Sequence, residues 1–419
     1  MIYYLIFVLL FLVNFRALEY TPLMDVDKFV GLPLVVAGGW QYFVYGVKVN
    51  EIKAWIICFG IVGVISTIAG SIYFPQTLKD SLVASNNFFL VLSILPFVSV
   101  LRWSKISLKA FERLIVFLGW VALFVKMSLF AFNITWNYTS YFTGNSVQLI
   151  PKQYPTELIT LGLIYYFIKF LKAKNIIYLG YSLMFLIGSN IFFIQRQEFS
   201  FEFLVLVIIL FKDFKRNTAS IFSFVVIVLV LILFATSFFA DNLEPLIAHF
   251  SESLKIFGSA TKIQDNSAEA RVEQFVYFLS RAFDSPIFGL GIPREGLKTN
   301  LFAGQQAFNM ADMGILGIYF GSGIIGVIVY IFQIRFVYRL YKRIKTNGLI
   351  VNTLYFYLVY VTLYSIGTGK VFIYPGHFLA VIVLTLYFKG KEDKAKEHRA
   401  KQISNDDLVP QPDTRLITN

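Results

Sequence analysis

Long apolar runs separated by short polar joints dominate the chain. A window of about 19 residues, the length that crosses a bilayer as a helix, finds runs at 2–15, 29–47, 52–74, 82–101, 114–132 and 158–170, then at 176–194, 199–211, 219–239, 313–334, 349–366 and 371–388. This predicts an all-α, polytopic integral membrane protein with about 12 transmembrane helices. The runs starting at Leu158 and Phe199 are shorter than a full span, so they extend into polar ends or lie inside the bundle. The amino-terminal MIYYLIFVLLFLVNF has no basic region or small-residue cleavage site and reads as a retained first span.

One polar interval breaks the rhythm. Residues 240–308 form a long loop containing Val272, Phe275, Val276, Leu279 and Phe283 at three- and four-residue spacing, which predicts an amphipathic helix able to lie against the membrane face. Pro286 ends it. The chain thus divides into spans one to nine (1–239), the long loop (240–308), spans ten to twelve (309–388) and a polar, Pro-containing tail (389–419) with too little apolar content to fold alone.

Composition agrees with lipid as the solvent: of 419 residues, 57% are hydrophobic and 15% charged, with a mean hydropathy of +0.67. The net charge of +12 is not gathered on a soluble face, which argues against nucleic acid as a partner. Instead, cations cluster in alternate loops: Arg102, Lys105, Lys109 and Arg113; Lys169, Lys172 and Lys174; Lys212, Lys215 and Arg216; and Arg335, Arg339, Lys342, Arg343 and Lys345. The positive-inside rule makes these cytoplasmic. Both termini are then cytoplasmic and the long loop lies outside. A single cysteine, Cys58, excludes a disulfide framework, and no internal repeat points to duplicated transporter halves.

No phosphate loop, paired-His metal motif or nucleophile elbow occurs. The candidates are ionisable groups at the outer ends of spans, where a charge is costly to keep. Arg196, Glu198 and Glu202 cluster where one span exits and the next re-enters, with the two carboxylates four residues apart on one helix face. They can form a salt-bridged turn or an anion site with a carboxylate beside it. Arg271 and Arg281 on the loop helix offer guanidinium forks suited to phosphoryl oxygens, or a solvated helix face. Gly289 and Gly291 mark a tight turn or close backbone approach. Lys126, Glu157, Asp312, Lys370 and His377 fall near the same boundary, while His249 opens the loop and Arg294 lies within it. No Asp-rich metal motif stands out.

In order along the chain, QYPTELITLGLIYYF, GSNIFFIQRQEF, ARVEQFVYFLSRAFDSPIFGLGIP and ADMGILGIYFGSGIIG resemble landmarks of the bacterial O-antigen polymerase and ligase superfamily, over residues 154–330. The resemblance implies a glycosyltransferase in the inner membrane. Such an enzyme moves a glycan from a polyprenyl diphosphate carrier to the non-reducing-end hydroxyl of another lipid-linked repeat unit, on the periplasmic side. It implies no cofactor and no metal, with Arg196, Arg271 and Arg281 on the diphosphate. The base is then one of Glu157, Glu198, Glu202, His249 and Asp312, and Lys126, Arg294 and His377 are further cavity candidates. Membrane lipid, a chain-length regulator and a flippase are the implied partners. The ligase branch carries a His in the segment that here reads TNLFAGQQAFNMADMG, so its absence favours polymerase. A lipid-linked oligosaccharide flippase is the rival from another class.

Overall fold

The computed structural model describes residues 24–45, 50–104, 108–131, 138–143, 146–151, 157–190, 196–212, 266–294, 313–342 and 348–368, with single positions at 5, 8 and 395. Apart from those single positions, the predicted spans at 2–15, 219–239 and 371–388 and the tail lie outside these residues.

The described chain is helical, with one short hairpin. Helices α1 (Met24–Tyr45) and α2 (Asn50–Tyr73) are followed by the short α3 (Leu78–Ala84) and α4 (Asn86–Phe89), a 3₁₀ turn at Leu90–Ser93, and α5 (Ile94–Ser104). Next come α6 (Leu108–Ala131), strands β1 (Tyr138–Thr143) and β2 (Ser146–Pro151), and α7 (Glu157–Ala173), α8 (Ile176–Asn190) and α9 (Arg196–Lys212). Helices α10 (Asn266–Arg281), α11 (Ile315–Lys342) and α12 (Leu349–Thr368) complete the described chain. β1 and β2 pair antiparallel, with Tyr138 opposite Pro151 and Thr143 opposite Ser146.

Among the described residues, three helices are long and apolar enough to cross a membrane: Lys53–Tyr73 in α2, Ile315–Phe336 in α11 and Leu349–Gly367 in α12. Leu32–Val44 and Ile176–Ser189 are shorter apolar helices. This membrane protein is organised around α7. Every side chain from Leu158 to Leu171 except Lys169 is buried, and α7 packs on α6, α8, α9 and α12. A helix apolar all round is a core helix, so the shortness of the run at Leu158 reflects a place within the bundle.

The predicted span at 82–101 is instead several short pieces. Ser85 caps α3, its N–H donating to Ser81 O. Pro96 can neither donate to the carbonyl four residues back nor fit against it, and the chain before it tightens into the 3₁₀ turn.

The second break lies inside α11. Gly323 has φ 62° and ψ −161°, a region essentially closed to other residues. The break frees two carbonyls and two N–H groups that an unbroken helix would pair, and each is costly to leave bare in hydrocarbon. The loop after α10 supplies all four partners. Leu290 N donates to Phe320 O (2.7 Å) and Gly291 N to Gly321 O (3.1 Å), while Ile324 N donates to Pro286 O (3.0 Å) and Ile325 N to Ile287 O (3.3 Å). Residues 286–291 therefore run along the broken helix like a strand, and a Cβ added at Gly323 would lie 2.6 Å from Gly289 N.

Candidate functional site

Four helix ends converge on one buried carboxylate. Glu202, in the second turn of α9, is 1% exposed. Its Oε1 accepts from Thr160 Oγ1 of α7 at 2.6 Å, and its Oε2 lies 2.7 Å from Ser189 Oγ of α8. Lys126 of α6, 4% exposed, donates from Nζ to the Ser189 backbone carbonyl. That carbonyl belongs to the last turn of α8, where orphan C=O groups carry partial negative charge and favour a cation.

Ser189 Oγ also lies 2.9 Å from Leu186 O, yet a serine hydroxyl has one proton to give. With Glu202 ionised, that proton goes to Oε2. With Glu202 protonated, the carboxyl can donate to Ser189 Oγ, which then donates to Leu186 O. The cluster accepts either protonation state without moving a heavy atom, a property suited to a group that takes up and returns a proton.

The same end of the bundle gathers the other elements. Phe201, beside Glu202, lies edge-on to Tyr364 of α12 with centroids 6.0 Å apart, and its ring faces Gly367. Gly314, just before α11, abuts the backbone of Ile366 and Gly367. The α11 break and its partner segment follow, and that segment also meets the end of α2. Gln76 binds it twice, donating from Nε2 to Ile292 O (3.0 Å) and accepting from Arg294 N (2.7 Å).

Of the residues singled out from sequence, Glu202 and Lys126 meet through Ser189. Glu157 opens α7, one turn from Thr160, and is half-buried. Arg196 and Glu198 occupy the first turn of α9, with Glu198 roughly 6 Å along the axis from Glu202. Arg271 lies on α10, about 15 Å along the axis from Arg281, so the two do not form one fork. For Arg196, Glu198 and Arg271 the backbone position alone is described.

Arg281 is fully placed. Its Nε donates to Asp284 Oδ2 at 3.0 Å and its Nη1 to Tyr277 OH at 3.2 Å, with the guanidinium 6.0 Å from the Phe74 ring centroid. Partial burial pulls its pKa down, but the bonds to Tyr277 and Asp284 outweigh this and hold it above the usual value. Among the described residues these contacts use two of the five guanidinium donors. Arg294 is tied to the corner after α2, its Nη1 2.9 Å from Asp80 Oδ1. His249, Asp312 and His377 lie outside the described residues.

Gly289 and Gly291 have φ 74° and 82°. A Cβ at Gly289 would lie 2.6 Å from the Gly321 carbonyl carbon, and one at Gly291 would lie 2.6 Å from Ser66 O. The Gly-x-Gly is thus a close backbone approach between α2 and α11. Thr160 and Ser189 went unnoticed in the sequence. Their only local signal is a hydroxyl within a turn of a span end, beside Glu157 in one case and Asn190 in the other.

No family model matches the chain, and no curated protein matches it in sequence.

Proposed function

We propose that this membrane protein is a glycosyltransferase that polymerises polyprenyl-diphosphate-linked repeat units at the periplasmic face of a bacterial inner membrane. The carrying observation is the gathering of buried Glu202 and Lys126 at the end of the bundle that also holds the first turn of α9 and the Arg281 helix. Ionisable groups turned inward within a membrane bundle have a functional role by default.

In the proposed reaction the acceptor hydroxyl oxygen attacks the anomeric carbon of the donor glycan. The bond from that carbon to the carrier's diphosphate breaks, and its electron pair leaves with the diphosphate. The hydroxyl proton passes to a carboxylate, drawn from Glu157 and Glu198 at the helix ends with Glu202 a turn deeper as the group that can store it. Arginine is protonated at any working pH and can bind phosphoryl oxygens bidentately, so Arg281 and Arg196 stabilise the leaving diphosphate as charge develops without a metal ion. The absence of a His in TNLFAGQQAFNMADMG favours a lipid-linked glycan over a lipid-A-type acceptor.

The test is reconstitution with the host's lipid-linked repeat unit, in EDTA and in magnesium. A ladder of lengthened glycans in both, lost in folded Arg281→Ala protein, is the expected result. No ladder with authentic substrate that nevertheless crosses the bilayer would make this a flippase, and a ladder restored only by magnesium would refute the metal-free step.

A further inference from the structure

The opposite end of the bundle carries a second site, built from different chemistry. On α11 the residues 324, 328, 331, 335, 338 and 342 recur every three or four positions and so form one stripe. Its first part is apolar and open: Ile324, Ile328 and Ile331 are 44%, 57% and 55% exposed. Within one turn the stripe becomes Arg335, Tyr338 and Lys342, also exposed. A greasy track about 10 Å long thus ends in a cationic, aromatic head.

Neighbouring helices widen that head. Lys342 Nζ lies 4.7 Å from the Tyr338 ring centroid. Tyr338 adjoins Tyr355 of α12 at 6.4 Å, and Tyr341 stacks on Tyr355 at 4.2 Å. Lys212, the last residue of α9, places its Nζ 4.8 Å from the centroids of both Tyr355 and Phe356. An unbroken chain of rings therefore joins two ammonium groups from two helices. An aromatic face holds an ammonium without neutralising it. Among the described residues no carboxylate forms an ion pair with Lys212, Arg335, Arg339 or Lys342.

From this geometry we infer that the surface at the ends of α9, α11 and α12 binds an anionic phospholipid. Its phosphodiester sits between Lys212 and Lys342 on the tyrosine platform, and an acyl chain lies along Ile331, Ile328 and Ile324. The track lies in the Ile315–Phe336 span and meets acyl chains of any lipid, so the selectivity for an anionic headgroup rests on the head, where two ammonium groups share one tyrosine platform. A juxtamembrane basic cluster at the cytoplasmic leaflet attracts acidic lipid in this way, with roughly a fivefold gain per cation. The site is independent of the glycan chemistry proposed above.

The test is native mass spectrometry and thermal unfolding of the purified full chain in neutral detergent, with added phosphatidylglycerol, phosphatidylcholine or inorganic phosphate. Phosphatidylglycerol is expected to stay bound and to raise Tm, while the other two do neither. Lys212→Gln with Lys342→Gln should weaken retention roughly 25-fold. The Lys→Arg pair should keep it, and Lys109→Gln on α6 should leave it unchanged. Should the double Gln variant unfold, the exposed single Lys342→Gln, expected to lose about fivefold, carries the test. Retention equal to wild type in the folded Gln variants, or a full Tm rise with inorganic phosphate alone, would overturn the assignment.

Discussion

The two ends of the helical bundle use lysine in opposite ways. At one end Lys126 turns inward, 4% exposed, onto the carbonyl end of α8 and next to a serine that bonds Glu202. At the other, Lys169 lies 4.3 Å from the Tyr178 ring centroid, and Lys212 and Lys342 rest on their own tyrosines at the bundle's rim. Rim lysines over aromatic rings are the ordinary solution at a membrane interface, where the stem is greasy and the head reaches water. An inward lysine beside an inward carboxylate has no such default. Burying both is justified only by the network that satisfies them, and the network includes one hydroxyl able to serve either protonation state of Glu202. The difference teaches that function is sought at the end that breaks the interfacial pattern, and that the other end reports how the chain meets lipid.

The largest expected effect breaks the inward end's architecture. Gly323→Ala adds a Cβ to a backbone conformation that only glycine tolerates and drives it to 2.6 Å from Gly289 N. Strain and overpacking together cost on the order of 3 kcal/mol or more. The variant is expected to lose its cooperative melting transition in detergent, as is Gly291→Ala, which meets the α2 backbone at Ser66 and Gly70. Gly60→Ala, whose Cβ would meet nothing within 4 Å, should melt like wild type. A Gly323→Ala protein with unchanged Tm would mean that residues 286–291 do not hold the broken helix together.

Next in size is a test of the contrast itself. Glu202→Gln removes the titratable carboxyl and keeps an acceptor for one hydroxyl, while Ser189 can turn to Leu186 O. Stability should fall by only about 1 kcal/mol, and turnover of lipid-linked repeat units roughly a hundredfold. Lys169→Gln at the rim loses a cation–π contact worth about 0.5–1 kcal/mol and should leave turnover alone. Equal turnover in both variants would reduce the inward cluster to scaffolding and remove the functional difference between the ends.

The spans were the easier part to read. The runs at 52–74 and 349–366 appear in α2 and α12 as helices long enough to cross a membrane, because apolar length alone decides each, and the run at 114–132 appears as a helix, α6. Helix α10 was legible for a similar reason: its period is local, and it ends at Arg281 five residues before Pro286. The Gly323 break was not, since GSGIIG inside an apolar run reads as ordinary small residues in a span. What opens the helix is a segment more than thirty residues earlier that offers it replacement hydrogen bonds. For the candidate site the same division holds. Glu202 and Lys126 stood out as charges in apolar runs, but Thr160 and Ser189 gain meaning only when α7, α8 and α9 bring them within 2.7 Å of one carboxylate.

The smallest expected effect sharpens the comparison by pH. Asp80, in the first turn of α3, accepts a hydrogen bond from the Thr77 hydroxyl and faces the Arg294 guanidinium. The Thr77 bond first, and then the charge of Arg294, hold its pKa below the usual carboxylate value despite some desolvation. A carboxylate whose folded pKa is depressed adds stability above its unfolded pKa of about 3.9 and loses it as pH falls through the lower folded value. The melting temperature should therefore be insensitive to Asp80 between pH 5 and pH 8, as ranges set by that unfolded value, with its contribution disappearing below about pH 4. Arg294 is exposed and Asp80 partly so, so salt should shrink even this small contribution. Asp80→Asn should abolish the acid-side component of the decline and leave the neutral-pH glycan ladder intact, because Asp80 fastens the loop from outside and touches none of the inward cluster. An acid decline identical in Asp80→Asn would assign the fastening to Gln76 alone, whose two bonds to the Ile292–Arg294 backbone do not titrate.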